Sequence, residues 1–377
     1  MTRPYRGGPL PPPPDLPAEP NAILLVRLSA RGDVIFALPL VERLRARWPR
    51  ARIGWVVEAP SAELVHAHPA LDDLIVWDRA RWKELLRRGR IGALAREVAA
   101  LRRRLREGEW EVAIDLQGMG RSGLVTWLSG AETRIGLGSR EGSGALMTHR
   151  FPRYTDVDRI GGEYRELAGW IGLAPEPWRL DLPLTDTTWT RARTLLAESG
   201  VRGDHVVVLP HTTRPQKHWP ESRWAPLIEA LRARADAAVL LLGGPADRAA
   251  SARIAAEVDG GGLIDLTGRT SLAEAVAVVA SAALVVGVDT GLTHAAHAFA
   301  RRTVCLFGPS GYVVPPTPTA RIVRHDELEC VRCMPRGGKP TCGGAWWCMD
   351  RITREEIMQH VDDLLAGRPD PRPPARS

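Results

Sequence analysis

Three loops of this sequence carry most of its chemistry. In the first, Arg27–Leu28–Ser29–Ala30–Arg31–Gly32–Asp33 follows directly on an apolar run, and a glycine turn delivers a carboxylate to the start of a helix. Two readings stand side by side. An acid in the first helical turn complements the macrodipole, and a carboxylate held at a strand end is placed to take the proton of a hydroxyl as a general base. In the second loop, Pro210–His211–Thr212–Thr213–Arg214–Pro215–Gln216–Lys217–His218–Trp219–Pro220, two hydroxyls, an arginine and a lysine fall within six residues. This is either a solvated loop or an anion clamp, in which Thr hydroxyls and loop amides donate to phosphate and Lys217 supplies a point charge. The third is Gly287–Val288–Asp289–Thr290–Gly291–Leu292–Thr293–His294. The amides of Thr290, Gly291 and Leu292 sit where a helix starts, a position that binds phosphate readily. Asp289 is either a plain N-cap or an acceptor for sugar hydroxyls.

Two further loops, Asp78–Arg79–Ala80–Arg81–Trp82–Lys83 and Gln117–Gly118–Met119–Gly120–Arg121–Ser122, gather basic and polar groups. They read equally as a seat for an anionic acceptor, through Arg79, Arg81, Lys83, Gln117 and Arg121, or as surface arginines of an Arg-rich chain. Lysine is scarce, at Lys83, Lys217 and Lys339 only, which sets Lys217 apart from its background. Four thiols in a Gly/Pro-rich stretch, Cys330, Cys333, Cys342 and Cys348, have spacings from which zinc or an iron–sulfur cluster is one reading and a packed flap with Trp346 and Trp347 the other. Cys305, inside an apolar run, reads as core.

These loops need elements that hold them. Ala22–Leu28, Arg52–Val57, Leu74–Val76 and Val112–Leu116 read as buried strands, separated by helical patterns such as Ile91–Glu107. The alternation restarts after the Pro-rich stretch Ala174–Thr185, with strands at Val206–Leu209, Ala238–Leu242, Gly262–Asp265, Leu284–Val288 and Thr303–Phe307 and a helix at Arg223–Arg234. Strand–helix alternation implies parallel sheets covered on both faces. The expected architecture is α/β, with two Rossmann-like domains whose open sheets face a central cleft where ligand binds. The expected divisions are a disordered Pro-rich arm (1–20), an N-terminal domain (21–185), a C-terminal domain (186–366) and a disordered tail (367–377).

Composition narrows the function classes. With 377 residues, 44% hydrophobic and 25% charged, the chain has the makeup of a folded protein of two or three domains. Five cysteines exclude a disulfide scaffold. The longest uncharged apolar run, Ala275–Val288, falls short of the roughly 20 residues that span a bilayer. The N-terminal arm lacks the apolar region of a signal peptide, so a cytoplasmic location is expected. A net charge of +7 favours anionic partners. A non-catalytic nucleic-acid binder is the reading from another class; scarce lysine and only four Tyr and four Phe for base stacking speak against it.

Taken together, RLSARGDVIFALPL, Val56–Glu58, IDLQG, HTTRPQKHWP and VDTGLTHAAHAFARRTVCLFGPS resemble the lipopolysaccharide heptosyltransferases, a GT-B glycosyltransferase family that uses ADP-heptose. The similarity runs in order from about Asn21 to Leu365, and the Thr-Thr-Arg-x-x-Lys-His-Trp-Pro segment is most similar to heptosyltransferase I. The resemblance implies an inverting transfer of heptose from ADP-L-glycero-D-manno-heptose to the Kdo/heptose inner core, with no metal and no cofactor beyond the donor itself. It implies Asp33 as the base, and Lys217 with Thr212, Thr213 and the Thr290 and Gly291 amides on the pyrophosphate. Asp289 would orient the donor heptose and His294 would lie near the phosphates. Asp247 stands where the family carries a ribose-binding Glu, Thr270 where some members have Met at the adenine, and Thr155 where others have His ahead of the Val157–Arg159 element. The N-terminal domain would bind the acceptor, Kdo-lipid A or a heptosylated core, and the C-terminal domain the nucleotide sugar. The enzyme would lie peripherally on the cytoplasmic face of the inner membrane, with no nucleic-acid partner. A transferase or epimerase acting on another nucleotide sugar is the alternative on the same fold.

Overall fold

A computed structural model describes residues 10–152, 161–174, 178–180, 182–235, 237–260, 262–310, 317–328 and 342–367. The chain divides into two compact units that change over between Pro183 and Leu184. The first holds strands β1 (Ala22–Val26), β2 (Arg52–Glu58), β3 (Asp73–Trp77), β4 (Val112–Asp115), β5 (Thr133–Leu137) and β6 (His149–Phe151). The second holds β7 (His205–Leu209), β8 (Ala238–Leu241), β9 (Leu263–Asp265), β10 (Leu284–Val288), β11 (Arg302–Leu306) and β12 (Ala320–Val323). Every pairing between these strands is parallel.

The sheet orders are β3-β2-β1-β4-β5-β6 and β12-β11-β10-β7-β8-β9. These are one Rossmann-like topology written twice. In each, the chain starts at the middle, runs out to one edge, and then crosses back to the other side of its first strand. Loops leaving the first and fourth strands therefore diverge, and a crevice opens at their carboxyl ends. Register places Val26 beside Val56 and Asp115 in the first sheet, and Leu209 beside Gly287 in the second.

Parallel strands covered on both faces need continuous apolar runs, and β1 (AILLV) and β10 (LVVGV) are buried at every position. In the first unit Leu24, Val26 and Val56 pack with Leu101 and Leu105 of helix Ile91–Arg106. In the second, Val206, Val208 and Val286 pack on one face with Trp219 and Trp224, while Val207 and Leu209 pack on the other with Ala277 and Val278. The sheets are wider than the sequence reading: β5 (TRIGL), β6 (HRF) and β12 (ARIV) are each interrupted by an arginine, so they lack the apolar run that marks the central strands.

Candidate active site

The first candidate loop leaves β1 and enters helix Arg31–Arg47, and the loop holding Gln117 leaves β4, so both flank the crossover of the first sheet. Asp33, in the first turn of that helix, pairs with Arg27 while its side chain stays 47% exposed. Arg27 is itself buried, donates to the Leu116 carbonyl at 2.7 Å and lies 5.9 Å from the Tyr164 ring centroid. A buried, fixed guanidinium thus orients a carboxylate that still reaches solvent. Gln117 sets the loop: its side-chain oxygen accepts the Leu28 and Ser29 amides at 3.0 and 3.3 Å. Asp115 makes the turn below it by accepting the Gln117 and Gly118 amides and the Ser122 hydroxyl. Burial pushes the Asp115 carboxyl up from its ordinary pKa, against those hydrogen bonds, which marks it as a structural acid.

Glu58 ends β2 at the same edge and is buried. Arg79 donates to it at 2.8 Å, and Arg121 lies 3.6 Å from the same oxygen while donating to Ser29 Oγ at 3.1 Å. The structure therefore brings Asp33, Gln117, Arg79 and Arg121 together around Arg27 and Glu58. It does not bring Arg81 and Lys83 with them. Both are exposed on helix Arg79–Arg87, where Arg81 faces Glu97 at 4.0 Å.

The second and third loops leave β7 and β10, the strands that flank the crossover of the second sheet. Asp289 is buried there and does not cap the following helix. Thr290 occupies the N-cap of helix Gly291–Ala298 and no side chain caps it. Instead the Asp289 carboxylate accepts from Lys217 Nζ at 2.5 Å, from His294 Nε2 at 2.9 Å and from the Ser310 hydroxyl. Burial by itself would raise the pKa of this acid. The Lys217 charge and the His294 hydrogen bond outweigh burial and hold it below the ordinary carboxylate range. The first-turn amides carry no side-chain cap, and Lys217 is held on the residue just ahead of the N-cap, an arrangement that is able to accept an anion.

The Lys217 loop is anchored at its far end. The Trp219 indole is buried, donates to the Ile352 carbonyl at 3.0 Å and meets Trp224 edge-on at 5.1 Å; truncating such a residue costs about 3–5 kcal/mol. His218 contacts the Thr212 carbonyl at 2.8 Å, and the Thr212 hydroxyl reaches the Asp289 carbonyl at 3.4 Å. Thr213 is exposed.

Behind the clamp, His211 is buried and shares a 2.7 Å hydrogen bond with Ser251, which shares another of 2.7 Å with Thr267. Burial lowers the His211 pKa, opposed by Asp247. A Cβ on Gly243 would come within 2.8 Å of His211 and 3.0 Å of Thr267, so only glycine fits this close packing. Asp247 spends one carboxylate oxygen on the Gly244 amide at 2.8 Å and is half-buried in the same loop.

The glycosyltransferase family 9 (heptosyltransferase) profile matches residues 98–339. The lipopolysaccharide heptosyltransferase 1 of Pseudomonas aeruginosa is 32% identical over 294 residues, which cover 76% of this chain and 79% of the relative. The chain belongs to glycosyltransferase family 9, the heptosyltransferases. Its fold is that of solved members. A family 9 glycosyltransferase from Veillonella parvula superposes with a TM-score of 0.74 at 20% identity, covering 92% of this chain and 97% of that one. The Escherichia coli ADP-heptose lipopolysaccharide heptosyltransferase II superposes at 0.72 with 24% identity, covering 92% and 98%. This heptosyltransferase is a glycosyltransferase of the GT-B fold.

Among the described residues of the enzyme, no group of three or more His, Cys, Asp or Glu is placed to hold a metal ion. Of the four thiols, Cys330 and Cys333 lie outside the described residues, as do Thr155 and Val157–Arg159. Cys348 packs in the core with Met349 and Ile352, and Cys342 is half-buried. Cys305 is core, as read. No helix among the described residues is long and apolar enough to cross a membrane. Sequence reasoning did not single out Arg27, Glu58, Ser310 or the His211–Ser251–Thr267 chain as site residues. Glu58 had a signal, a carboxylate closing an otherwise buried strand; Ser310 had only its place four residues past β11.

Proposed function

We propose that this heptosyltransferase, an enzyme of lipopolysaccharide core biosynthesis, transfers heptose with inversion from ADP-L-glycero-D-manno-heptose to the Kdo/heptose inner core, on Kdo-lipid A or a heptosylated core. The acceptor hydroxyl attacks the anomeric carbon, the bond from that carbon to the phosphate oxygen breaks, and ADP leaves. Asp33, exposed at the first crossover and aimed by Arg27, takes the hydroxyl proton. Lys217, the hydroxyls of Thr212 and Thr213, and the first-turn amides at Thr290 and Gly291 receive the charge that builds on the pyrophosphate. Asp289 holds the lysine and orients the donor heptose, His294 braces Asp289 near the phosphates, and Asp247 serves the ribose. Arg79, Arg121 and Gln117 face the anionic acceptor from the first unit, which acts as the acceptor domain, and residues 186–366 act as the donor domain. The chemistry needs no cofactor besides the donor, because a lysine and a helix end supply the electrostatics.

The observation that carries this reading is the buried Asp289 carboxylate holding Lys217 at 2.5 Å beside an uncapped helix start. It supports a diphosphate leaving group because a fixed cation and free amides converge at one strand crossover. The P. aeruginosa heptosyltransferase 1 similarity supports a position early in core assembly. A lipid-borne acceptor and a basic chain together support work at the cytoplasmic face of the inner membrane. The test is mass spectrometry of Kdo-lipid A incubated with enzyme and ADP-heptose. The expected result is the gain of one heptose; transfer from a UDP sugar alone, or no gain, overturns the assignment.

A further inference from the structure

We infer that helices Arg79–Arg87 and Ile91–Arg106 dock this enzyme on an anionic lipid surface; this names the face behind the membrane reading above and rests on it. Residues 79–107 hold eleven Arg and Lys against three Glu, a net +8, whereas the whole chain carries +7. The excess positive charge of the protein is thus confined to one pair of helices, which pack on each other.

This face is not a plain solvated one. Leu86 is 60% exposed and Ile91 58%, and the neighbouring helix Gly120–Leu128 exposes Leu124 and Trp127 by 46% and 49%. Helix Ile91–Arg106 already turns Leu101 and Leu105 into the core. The same face leaves the core towards the start of the helix, where Ile91, Leu94 and Val98 line an open groove of about 650 Å³ that Arg102, Arg103 and Arg106 border. Soluble surfaces rarely leave such a patch without a partner. Apolar side chains flanked by guanidinium groups match the boundary between acyl chains and phosphate headgroups. A second copy of the chain matches it poorly, because self-association sets cations against cations. The face also adjoins the candidate site: Arg79, at the start of the first helix, is bound to Glu58 at the sheet edge that carries Asp33. Docking there brings the sugar of a lipid-anchored acceptor to the edge that holds the base.

The experiment is flotation of the full-length enzyme with phosphatidylcholine vesicles made with and without phosphatidylglycerol, at low and high salt. Binding is expected only with phosphatidylglycerol, to weaken with salt, and to fall about tenfold or more both in L86S/I91S and in R102Q/R103Q/R106Q, since lost headgroup contacts and lost insertion each weaken docking. Both variants should keep the thermal shift on adding ADP and wild-type transfer to a delipidated, water-soluble acceptor. Vesicle binding that ignores phosphatidylglycerol, or that both variants retain, overturns the proposal. So does a change of the free enzyme from dimer to monomer in I91S by sedimentation velocity, which would assign the face to a second copy. Loss of docking with transfer to the soluble acceptor intact removes only this inference. Docking without any heptose transfer removes only the assigned reaction.

Discussion

The two units repeat one strand order yet put opposite kinds of carboxylate at the same crossover. Beyond β1, Asp33 is half in water and leans on a buried arginine. Beyond β10, Asp289 is buried and saturated by Lys217, His294 and Ser310. An acid that reaches solvent and has a rigid partner can exchange a proton with a bound hydroxyl. An acid that is buried and locked in its charged form cannot usefully exchange one, and instead fixes a cation. In the proposed reaction the same kind of strand crossover serves proton transfer in one unit and charge stabilisation in the other, and the partners of each acid decide which.

Removing the exchanging acid breaks that comparison most severely. D33N should lower kcat by about 10²–10⁴, the usual worth of a general base, with ADP affinity by titration calorimetry within about twofold of wild type; wild-type turnover would remove Asp33 from the role. K217A should act on both binding and rate. A loss of about 10²-fold or more in kcat is expected for a lost electrostatic donor, together with weaker ADP binding. It also leaves Asp289 buried without its cation, so a loss of about 1–3 kcal/mol in denaturant stability should accompany it; unchanged ADP affinity would sink the clamp.

Q117A sharpens the contrast from the other side, because Gln117 shapes the Asp33 loop through the Leu28 and Ser29 amides. Its expected signature is a fall in kcat of about tenfold with KM for the donor unchanged, and a stability loss near 1–2 kcal/mol. Acid should destabilise the second unit in particular. Burial lowers the pKa of His211 and pushes that of His297 down to about 4, the latter with help from the His294 charge. The unfolded chain then takes up protons more readily than the folded one below about pH 6.5. Stability contributed by both groups is full above that pH and declines as pH falls toward 4, which thermal melts at pH 7.5 and 5 will show; H211N should reduce the dependence. Smallest of all is R81Q. Arg81 is exposed and faces Glu97 at 4.0 Å, away from Glu58, so stability should change by no more than about 0.5 kcal/mol and turnover should stay near wild type.

The extent to which this could be read beforehand follows burial. Strands β1, β2, β7 and β10 are covered on both faces, and their unbroken apolar runs declared them. Strands β5, β6 and β12 are interrupted by Arg134, Arg150 and Arg321, and only pairing with a neighbour defines them. Loop chemistry was legible as residue type: an acid after a glycine turn, a lone lysine among hydroxyls, an acid before an amide-rich helix start. Partnership was not. Arg81 and Arg79 look alike in the chain, two residues apart, yet only Arg79 meets Glu58.

By itself the sequence determined the two α/β halves, the family, and which groups stand at the strand ends, because burial periodicity and short-range motifs are properties of neighbouring residues. Tertiary structure alone decided that Asp33 leans on Arg27 while Asp289 is sealed by Lys217 and Ser310, that Gln117 holds a backbone turn 88 and 89 residues away, and that Glu58 gathers Arg79 and Arg121. Those outcomes depend on which strands lie side by side at the crossover. Sheet order is set by the packing of the whole unit, which no local stretch of chain contains.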